Sequence, residues 1–191
     1  MKKHLLFILI LAFSLQSFAQ QKSTNFPIER NTIYAEAFGQ GFCYSLNYDR
    51  LFNVDKKVFN SFTVGMTYAP KKLEFGDGSY FGIPVSYNWL FGEKSHHLEL
   101  GVGFTGMLVN SRYNNNSSTF YTYLTPKIGY RFQRPQGGLF LKVTATPMID
   151  LVSFRKQEGG PIRLNSAFSD VAGLGYRAFP WPGFSIGYTF K

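Results

Sequence analysis

The amino-acid sequence predicts an all-β fold, an eight-stranded antiparallel up-and-down transmembrane β-barrel, with a ten-stranded barrel as the alternative. Apolar and polar residues alternate along segments of about 9–11 residues, the length of a tilted strand that crosses a bilayer. The links between these segments are alternately short and long, and the polar positions carry mainly Gly, Ser, Thr and Asn. Because successive side chains of a strand point to opposite faces, the alternation predicts a sheet with one apolar and one polar face.

The N-terminal residues predict export from the cytoplasm. Lys2 and Lys3 precede an apolar run from Leu5 to Leu15, and a small-residue ending follows at Ala19. This is the pattern of a secretory signal, with cleavage expected after Ala19. The run is about half of the ~20 apolar residues that a spanning helix needs, so a retained anchor is the less favoured alternative. We therefore expect a signal peptide at 1–19, a short periplasmic segment at 20–31 and one barrel domain at 32–191.

Eight segments show the alternation. In 42–52, Phe42, Tyr44, Leu46 and Tyr48 are apolar, and the residues between them are small or polar. The eight segments are 32–39, 42–52, 58–69, 80–91, 98–105, 120–132, 139–146 and 184–190. Together they predict eight strands.

The links between the segments predict the orientation of the barrel. Short polar links occur at Asn53–Lys57, Gly92–Ser95 and Arg134–Gly138. At the other end lie Pro70–Ser79, Asn110–Ser118, Leu151–Trp181 and one short link, Gly39–Gly41. Outer-membrane barrels have short periplasmic turns and longer external loops, so both termini are expected in the periplasm.

Two features complicate the strand assignment. The last link is long for a structureless connection, so Ala167–Phe179 is expected either to extend the final hairpin or to supply the two further strands of a ten-stranded barrel. Pro84, Pro126 and Pro147 fall inside predicted strands. Because proline cannot donate a hydrogen bond to the ladder, these positions predict β-bulges.

The composition of the polar positions indicates which face points outward. A soluble barrel, the alternative, would carry many Lys, Glu, Asp and Arg residues on its polar face. Gly, Ser, Thr and Asn instead suit the narrow interior of an eight-stranded barrel, which leaves the large apolar residues against lipid. Five aromatic residues near the turn-side ends of the strands predict an interfacial girdle: Tyr87, Trp89, Phe91, Tyr130 and Phe132.

Charged residues on the polar face predict a filled interior. These residues are Glu36, Asp49, Glu99, Lys127, Arg131, Lys142 and Asp150. Because a buried charge is tolerated only when it is paired and hydrogen-bonded, we expect a salt-bridge network that includes Glu99 with Arg131 and leaves no open pore. A proton or ion path is the alternative.

The remaining composition gives little sign of chemistry. The formal net charge is +9 and becomes +7 without Lys2 and Lys3, and its scattered distribution favours anionic lipid surfaces over nucleic acid. Cys43 is the only cysteine, which excludes an internal disulfide. His96 and His97 are expected to be solvated turn residues. We predict no catalytic residues, no metal site and no cofactor.

Several stretches carry a family resemblance: "YSLNYDRLF", "FGIPVSYNWLFG", "TPKIGYRF" and the C-terminal "GFSIGYTFK". In these the chain resembles the small outer-membrane β-barrel families related to OmpA and OmpX, and it is similar to uncharacterised barrels of Bacteroidota. Tyr188 and Phe190 resemble the final-strand signal that the barrel-assembly machinery recognises. The resemblance implies a monomeric protein of the Gram-negative outer membrane, in contact with lipid and lipopolysaccharide, with no assigned activity.

Three functional classes remain open from the sequence. The first is a non-enzymatic protein that stabilises the envelope or presents loops for binding or adhesion. The second is a porin-like transporter of small apolar molecules with a lateral opening, which requires an apolar pocket near the external end, where Phe38 and Met107 are expected to point inward. The third is a lipid-modifying outer-membrane enzyme.

Overall fold

The computed structural model describes residues 28–70, 78–111, 117–156, 163–166 and 178–191. The predicted signal peptide and its cleavage site lie outside these residues. The strands are β1 (Asn31–Phe38), β2 (Tyr44–Phe52), β3 (Val58–Ala69), β4 (Gly78–Glu93), β5 (His96–Ser111), β6 (Ser117–Leu124), β7 (Lys127–Gln133), β8 (Gly138–Lys156), β9 (Arg163–Ser166) and β10 (Ala178–Phe190). One turn of 3-10 helix, Gly39–Gly41, joins β1 to β2. None of the described residues belongs to a helix long and apolar enough to cross a membrane.

The strands form a closed antiparallel ring. Each of β1 to β5 pairs with the next, and β10 closes the ring by pairing with both β8 and β1. The two short strands β6 and β7 lie end to end, and both pair with β5 on one side and β8 on the other. They occupy one position, so the ring has eight positions, as predicted. Among the described residues, β9 pairs only with β8 and takes no position in the ring, so the ten-stranded alternative is wrong.

Proline explains why the predicted strand 120–132 is divided. The pairings Leu124↔Ile149 and Ile128↔Ala145 place Pro126 opposite Pro147, and Pro147 pairs with Pro180 on its other side. None of these prolines has an N–H group, so the ladder between β6–β7 and β8 stops at this height. On the β5 side the chain stays bonded, because Thr125 and Gly103 exchange two backbone hydrogen bonds of 2.8 and 3.1 Å.

The predicted bulges at the prolines are wrong. The register on both sides of Pro126 is the same, and the β4–β5 pairing continues through Pro84 opposite Thr105. A register shift occurs instead between Thr122 and Tyr123 in the β6–β8 pairing. When a proline faces another proline, or turns its missing donor away from the ladder, no extra residue is needed, and pairing is interrupted without a bulge.

The two ends of the barrel differ in height. The turn end carries the short turns after β2, β4 and β7, and the loop end carries the other connections except the link between β6 and β7, which lies within the wall. β4 and β5 have 16 residues each and β8 has 19, so these strands continue past the ~9–11 residues that cross a bilayer. The predicted link Leu151–Trp181 is shorter in the structure, because β8 continues to Lys156 and β10 begins at Ala178. Both strands extend the final hairpin. Residues 167–177 lie outside the described residues.

The apolar side chains point outward, as the alternation predicted. Leu46 is 53% exposed and Ile186 is 60% exposed, whereas Asp49 on the same strand as Leu46 is 1% exposed. Tyr87, Trp89, Phe91 and Tyr130 of the predicted girdle are exposed on the outer surface. Phe132 is half-buried. The barrel therefore has an apolar exterior and a polar interior, the reverse of a soluble barrel.

Candidate functional site

Six of the seven predicted interior charges are buried together inside the barrel. They are Glu36, Asp49, Glu99, Lys127, Arg131 and Lys142. Alternate positions of β1, β2, β5, β7 and β8 point them to one interior, where the narrow ring brings opposite walls into contact. Asp150, the seventh, lies nearer the loop end of β8 and is half-buried opposite Tyr123. Three carboxylates thus share the centre of the barrel with three basic groups.

Glu99 is the hub of this charge network. Its Oε2 atom accepts a hydrogen bond from Arg131 Nη1 at 3.3 Å, so the predicted pair is present. Its Oε1 atom lies 3.4 Å from Lys127 Nζ and 3.8 Å from Lys142 Nζ. The side chain is fully buried, and the three cations together offset the cost of removing its charge from water.

Arg131 connects Glu99 to the opposite wall. Its Nη2 atom donates to Asp49 Oδ1 at 2.5 Å, and its Nε atom donates to Gln133 Oε1 at 2.8 Å. The guanidinium lies 4.9 Å from the centre of the Phe140 ring. This planar group with five donors is suited to bridging two carboxylates and an amide at once. Arg131 therefore links three strands through its side chain.

Lys142 completes the network toward β1. Its Nζ atom lies 3.6 Å from Glu36 Oε1 and donates to the Tyr34 hydroxyl at 3.0 Å. It also lies 4.5 Å from the centre of the Tyr34 ring, a favourable position for a cation. Every one of the six charges thus has an oppositely charged partner within 4 Å, and the formal charges sum to zero.

The link between β1 and β2 enters the barrel and closes it above the charges. We call Gly39–Gly41 the plug loop, and all three of its residues are buried. Gln40 donates through Nε2 to Thr125 Oγ1 at 2.6 Å and accepts from Lys127 Nζ at 3.3 Å. Its backbone carbonyl accepts from Thr105 Oγ1 at 3.1 Å. This plug was not predicted from the sequence, although the one short link at the loop end, which is rich in glycine, was its signal.

The backbone around the plug loop is unusual. Phe38 and Phe42, which flank it, have φ angles of 62° and 71°. Bulky residues rarely adopt positive φ because the side chain then crowds the backbone. Gly103 of the facing wall leaves the space that the Gln40 amide fills, since a Cβ atom there would overlap Gln40 Nε2. The surrounding contacts hold the loop in this conformation.

An apolar cluster closes the turn end of the interior. Leu51, Val54 and Leu90 are buried there, with Ile28 and Phe59 packed against them. His97 is also buried, and its ring lies 5.6 Å from that of Phe59. The prediction that both histidines are solvated is therefore wrong for His97. Strand alternation turns His96 outward, beside Tyr130, and His97 inward, so the two do not share a site.

A second apolar cluster lies at the loop end, above the plug loop. Ala69, Tyr80 and Met107 form its buried part, and five residues pack around them: Phe42, Cys43, Val109, Tyr121 and Tyr123. Met107 points inward as predicted, but Phe38 is 40% exposed on the outer surface, so its predicted inward position is wrong. The positive φ angle of Phe38 places it outside the simple alternation of β1.

The described residues contain no group of three or more His, Cys, Asp and Glu side chains placed to hold a metal ion. His96 and His97 point to opposite faces of β5. Cys43 is a free thiol in the loop-end cluster. The arrangement that the structure presents is therefore a packed polar interior between two apolar layers.

Comparison with known proteins supports the fold. No family model matches the sequence, and no curated protein matches it. Among solved structures, a major outer membrane protein from Thermus thermophilus is similar, with a TM-score of 0.50, 13% identity, and coverage of 84% of this chain and 98% of that chain. Ail, the attachment invasion locus protein of Yersinia pestis, gives a TM-score of 0.41 at 14% identity, covering 85% of this chain and 99% of that chain.

Proposed function

We propose that the protein is an integral outer-membrane β-barrel of a Gram-negative envelope, with a closed interior and no enzymatic activity. It stabilises the envelope or presents its loop end for binding or adhesion. The fold that it shares with an outer membrane protein supports this class. The resemblance of its sequence to Bacteroidota barrels supports an origin in that group of bacteria. The observation that carries the proposal is the filled interior.

One strand shows how completely the interior is filled. From the turn end upward, the inward positions of β5 place His97 in the apolar turn-end layer and Glu99 in the charge network. Gly103 and Thr105 then contact Gln40 of the plug loop, and Met107 lies in the loop-end cluster. An ion that crossed the barrel would have to break paired charges in an interior of low dielectric constant. We therefore favour a closed barrel over an ion path.

The exterior supports residence in lipid. Large apolar side chains are exposed on the outer face of every ring position, which in water would form one continuous apolar surface far larger than soluble monomers expose. Exposed aromatic residues lie at the turn end, where an interfacial girdle is expected. We infer that this surface contacts outer-membrane lipid and lipopolysaccharide, and that the chain is inserted as a monomer by the barrel-assembly machinery.

The loop end supports a binding role. β4, β5 and β8 extend beyond the length that a bilayer needs, so their hairpins stand above the membrane under the proposed orientation. Both termini are then periplasmic. A transporter of small apolar molecules is the second candidate, and the loop-end apolar cluster is the observation that favours it.

Two measurements on one preparation test the proposal. Envelope fractionation, with gel mobility measured before and after boiling, should place the protein in the outer membrane and show a boiling-dependent shift. The same purified, folded protein should give no stable channels in planar bilayers, with a known open porin as the positive control. Stable ion conductance would contradict the closed interior, and a soluble periplasmic protein without a mobility shift would contradict membrane residence.

A separate measurement tests the absence of enzymatic activity. Expression in a Gram-negative host should leave the mass spectrum of lipid A unchanged relative to cells with an empty vector. A mass change that depends on expression would favour the lipid-modifying class instead.

A further inference from the structure

We propose that the turn end of the barrel binds the head groups of anionic phospholipids through a ring of exposed basic side chains. This inference rests on the membrane residence proposed above and adds a lipid class that the turn end prefers. We call the seven residues the basic rim: Arg30, Arg50, Lys56, Lys57, Lys94, Arg134 and Lys191.

The basic rim runs around the whole turn end. Each of the three turns at this end carries at least one member, and so do the neighbouring ends of β1 and β10. These members are Lys56 and Lys57 after β2, Lys94 after β4, Arg134 after β7, Arg30 before β1 and Lys191 after β10. A leaflet of lipid surrounds a barrel on every side, so this distribution fits lipid better than a partner that docks against one side.

The basic rim lies next to exposed aromatic rings. Arg50 stands between Tyr48 and Phe52 on the outer face of β2, and all three side chains are exposed. On β10, the exposed ring of Phe190 directly precedes Lys191. The aromatic girdle of a membrane barrel lies at the level of the lipid head groups. The long stems of Lys and Arg can follow the apolar surface and carry their charges to the same level.

The cations of the basic rim lack anionic partners within the described part of the chain. None of the seven takes part in an ion pair there, whereas each of the six buried interior charges does. The acidic side chains at this end are Asp55 and Glu93, which are exposed, and Glu29, which is half-buried. The excess of basic side chains gives the turn end a positive potential, which attracts the anionic groups of a membrane surface.

Lipid phosphate groups match these donors. A guanidinium such as that of Arg50 can donate two parallel N–H bonds to a phosphate, and a lysine binds a phosphate as a point charge. A zwitterionic head group carries its own cation, whereas the head group of phosphatidylglycerol has a net negative charge. The basic rim therefore predicts a preference for anionic phospholipid. One Lys or Arg near an anionic surface changes a binding constant by about fivefold.

Fluorescence quenching of Trp89 by brominated lipids measures this preference. Trp89 is exposed on the outer face of β4 and pairs with Asn60, close in sequence to Lys57. Trp181→Phe removes the second tryptophan of the chain. The Trp181→Phe protein is reconstituted in mixtures of phosphatidylcholine and phosphatidylglycerol in which one or the other lipid is brominated. The two quenching curves give the ratio of the binding constants of the two lipids beside Trp89.

We expect phosphatidylglycerol to bind beside Trp89 about twofold to fivefold more tightly than phosphatidylcholine. The ratio should fall toward one in about 1 M NaCl, because salt screens exposed charges. A preference that persists unchanged in high salt would overturn its assignment to the basic rim.

Two matched pairs of substitutions locate the preference. Lys56→Gln with Lys57→Gln, in the turn beside Trp89, should lower the ratio by at least about twofold. Arg30→Gln with Lys191→Gln removes the same charge at the ends of β1 and β10, on the far side of the ring from β4, and should leave the ratio unchanged. A boiling-dependent gel shift confirms that each variant is folded. An unchanged ratio in Lys56→Gln with Lys57→Gln would overturn the basic rim.

Two acidic residues give a control of opposite sign. Asp55→Asn with Glu93→Gln removes negative charge beside the turns after β2 and β4, so it should raise the ratio. A lower ratio would overturn the electrostatic origin of the preference. A shift of Trp89 emission by soluble polyglutamate, with no preference between the lipids, would overturn the choice of lipid as the partner.

Failure of this inference is distinguishable from failure of the proposed function. Equal quenching of Trp89 by the two lipids leaves the membrane barrel standing and overturns only the basic rim. A protein whose Trp89 is quenched by neither brominated lipid would contradict membrane residence itself, and with it both proposals.

Discussion

Replacing Arg131 with methionine tests whether the buried charge network holds the barrel together. Methionine keeps most of the side-chain volume, so the change removes charge and donors while creating little empty space. Arg131 contacts Asp49 at 2.5 Å and Glu99 at 3.3 Å, and all three side chains are at most 1% exposed. Without the guanidinium, Glu99 keeps Lys127 and Lys142, whereas the one contact that Asp49 keeps within the described part of the chain is the hydrogen bond from Thr63 at 2.7 Å. Asp49 is therefore the group that the substitution leaves without a cation.

The magnitude follows from the stranded carboxylate. Removing one partner of a buried ion pair costs about 3–5 kcal/mol, because the other charge stays out of water without compensation. We expect Arg131→Met to lower the free energy of unfolding by this amount. Arg134→Met, at the exposed position directly after β7, should change the free energy of unfolding by less than about 0.5 kcal/mol.

Urea unfolding in lipid vesicles, followed by tryptophan fluorescence and by gel mobility without boiling, measures both changes. The double variant Asp49→Asn with Arg131→Met should recover part of the loss, because it removes the stranded charge, with a coupling energy of about 0.5–3 kcal/mol. If Arg131→Met and Arg134→Met unfold at the same urea concentration, the network does not stabilise the barrel and the reasoning fails.

Three further predictions address the outer surface, the plug loop and the orientation. Leu46→Arg should lower the free energy of unfolding in vesicles by about 2–4 kcal/mol, because Leu46 faces the bilayer. Asp55→Arg, on an exposed turn, should leave it unchanged. Equal effects of the two substitutions in urea unfolding would argue against a lipid-facing Leu46. Gly103→Ala should displace the Gln40 amide and also crowd the Val85 carbonyl oxygen and the Ser86 side chain, so we expect it to cost at least about 1–3 kcal/mol. Gly106→Ala should cost less, because its added methyl group meets only the Phe120 ring at 3.1 Å, and the reverse order in urea unfolding would contradict close packing of the plug loop against β5. In a Cys43→Ser background, a membrane-impermeant thiol reagent on intact cells should label Pro70→Cys, which is exposed at the loop end. It should label Lys56→Cys, exposed at the turn end, only after the outer membrane is opened, and the opposite pattern would invert the barrel.

Much of the fold could be predicted from local sequence. The two-residue period of strands such as β2 fixes which side chains share a face, and the small polar residues on one face identify it as the interior. The same period placed Glu99 and Arg131 inside. The sequence shows that Pro126 would disturb a strand. It does not show that Pro126 lies opposite Pro147, because the register of the strands is known only from the structure.

The contacts within the candidate site could not be predicted in the same way, because they form only when the ring of strands closes. Sequence alternation shows that Asp49 and Arg131 point inward, but it does not say that they meet, since they lie on strands that are not neighbours in the ring. The plug loop and the outward position of Phe38 could not be predicted either, because irregular backbone shows no two-residue alternation of polar and apolar side chains. The prediction that His97 is solvated was also wrong, because His97 packs against Phe59, which lies on another strand.

By itself the sequence determined the eight ring positions, the polar interior and the apolar exterior, because these follow from side-chain chemistry repeated along single strands. Only the tertiary structure decided which charges pair and how the plug loop closes the interior above them. Those contacts join residues far apart in sequence, and their geometry is set by the number, tilt and register of the strands that close the barrel.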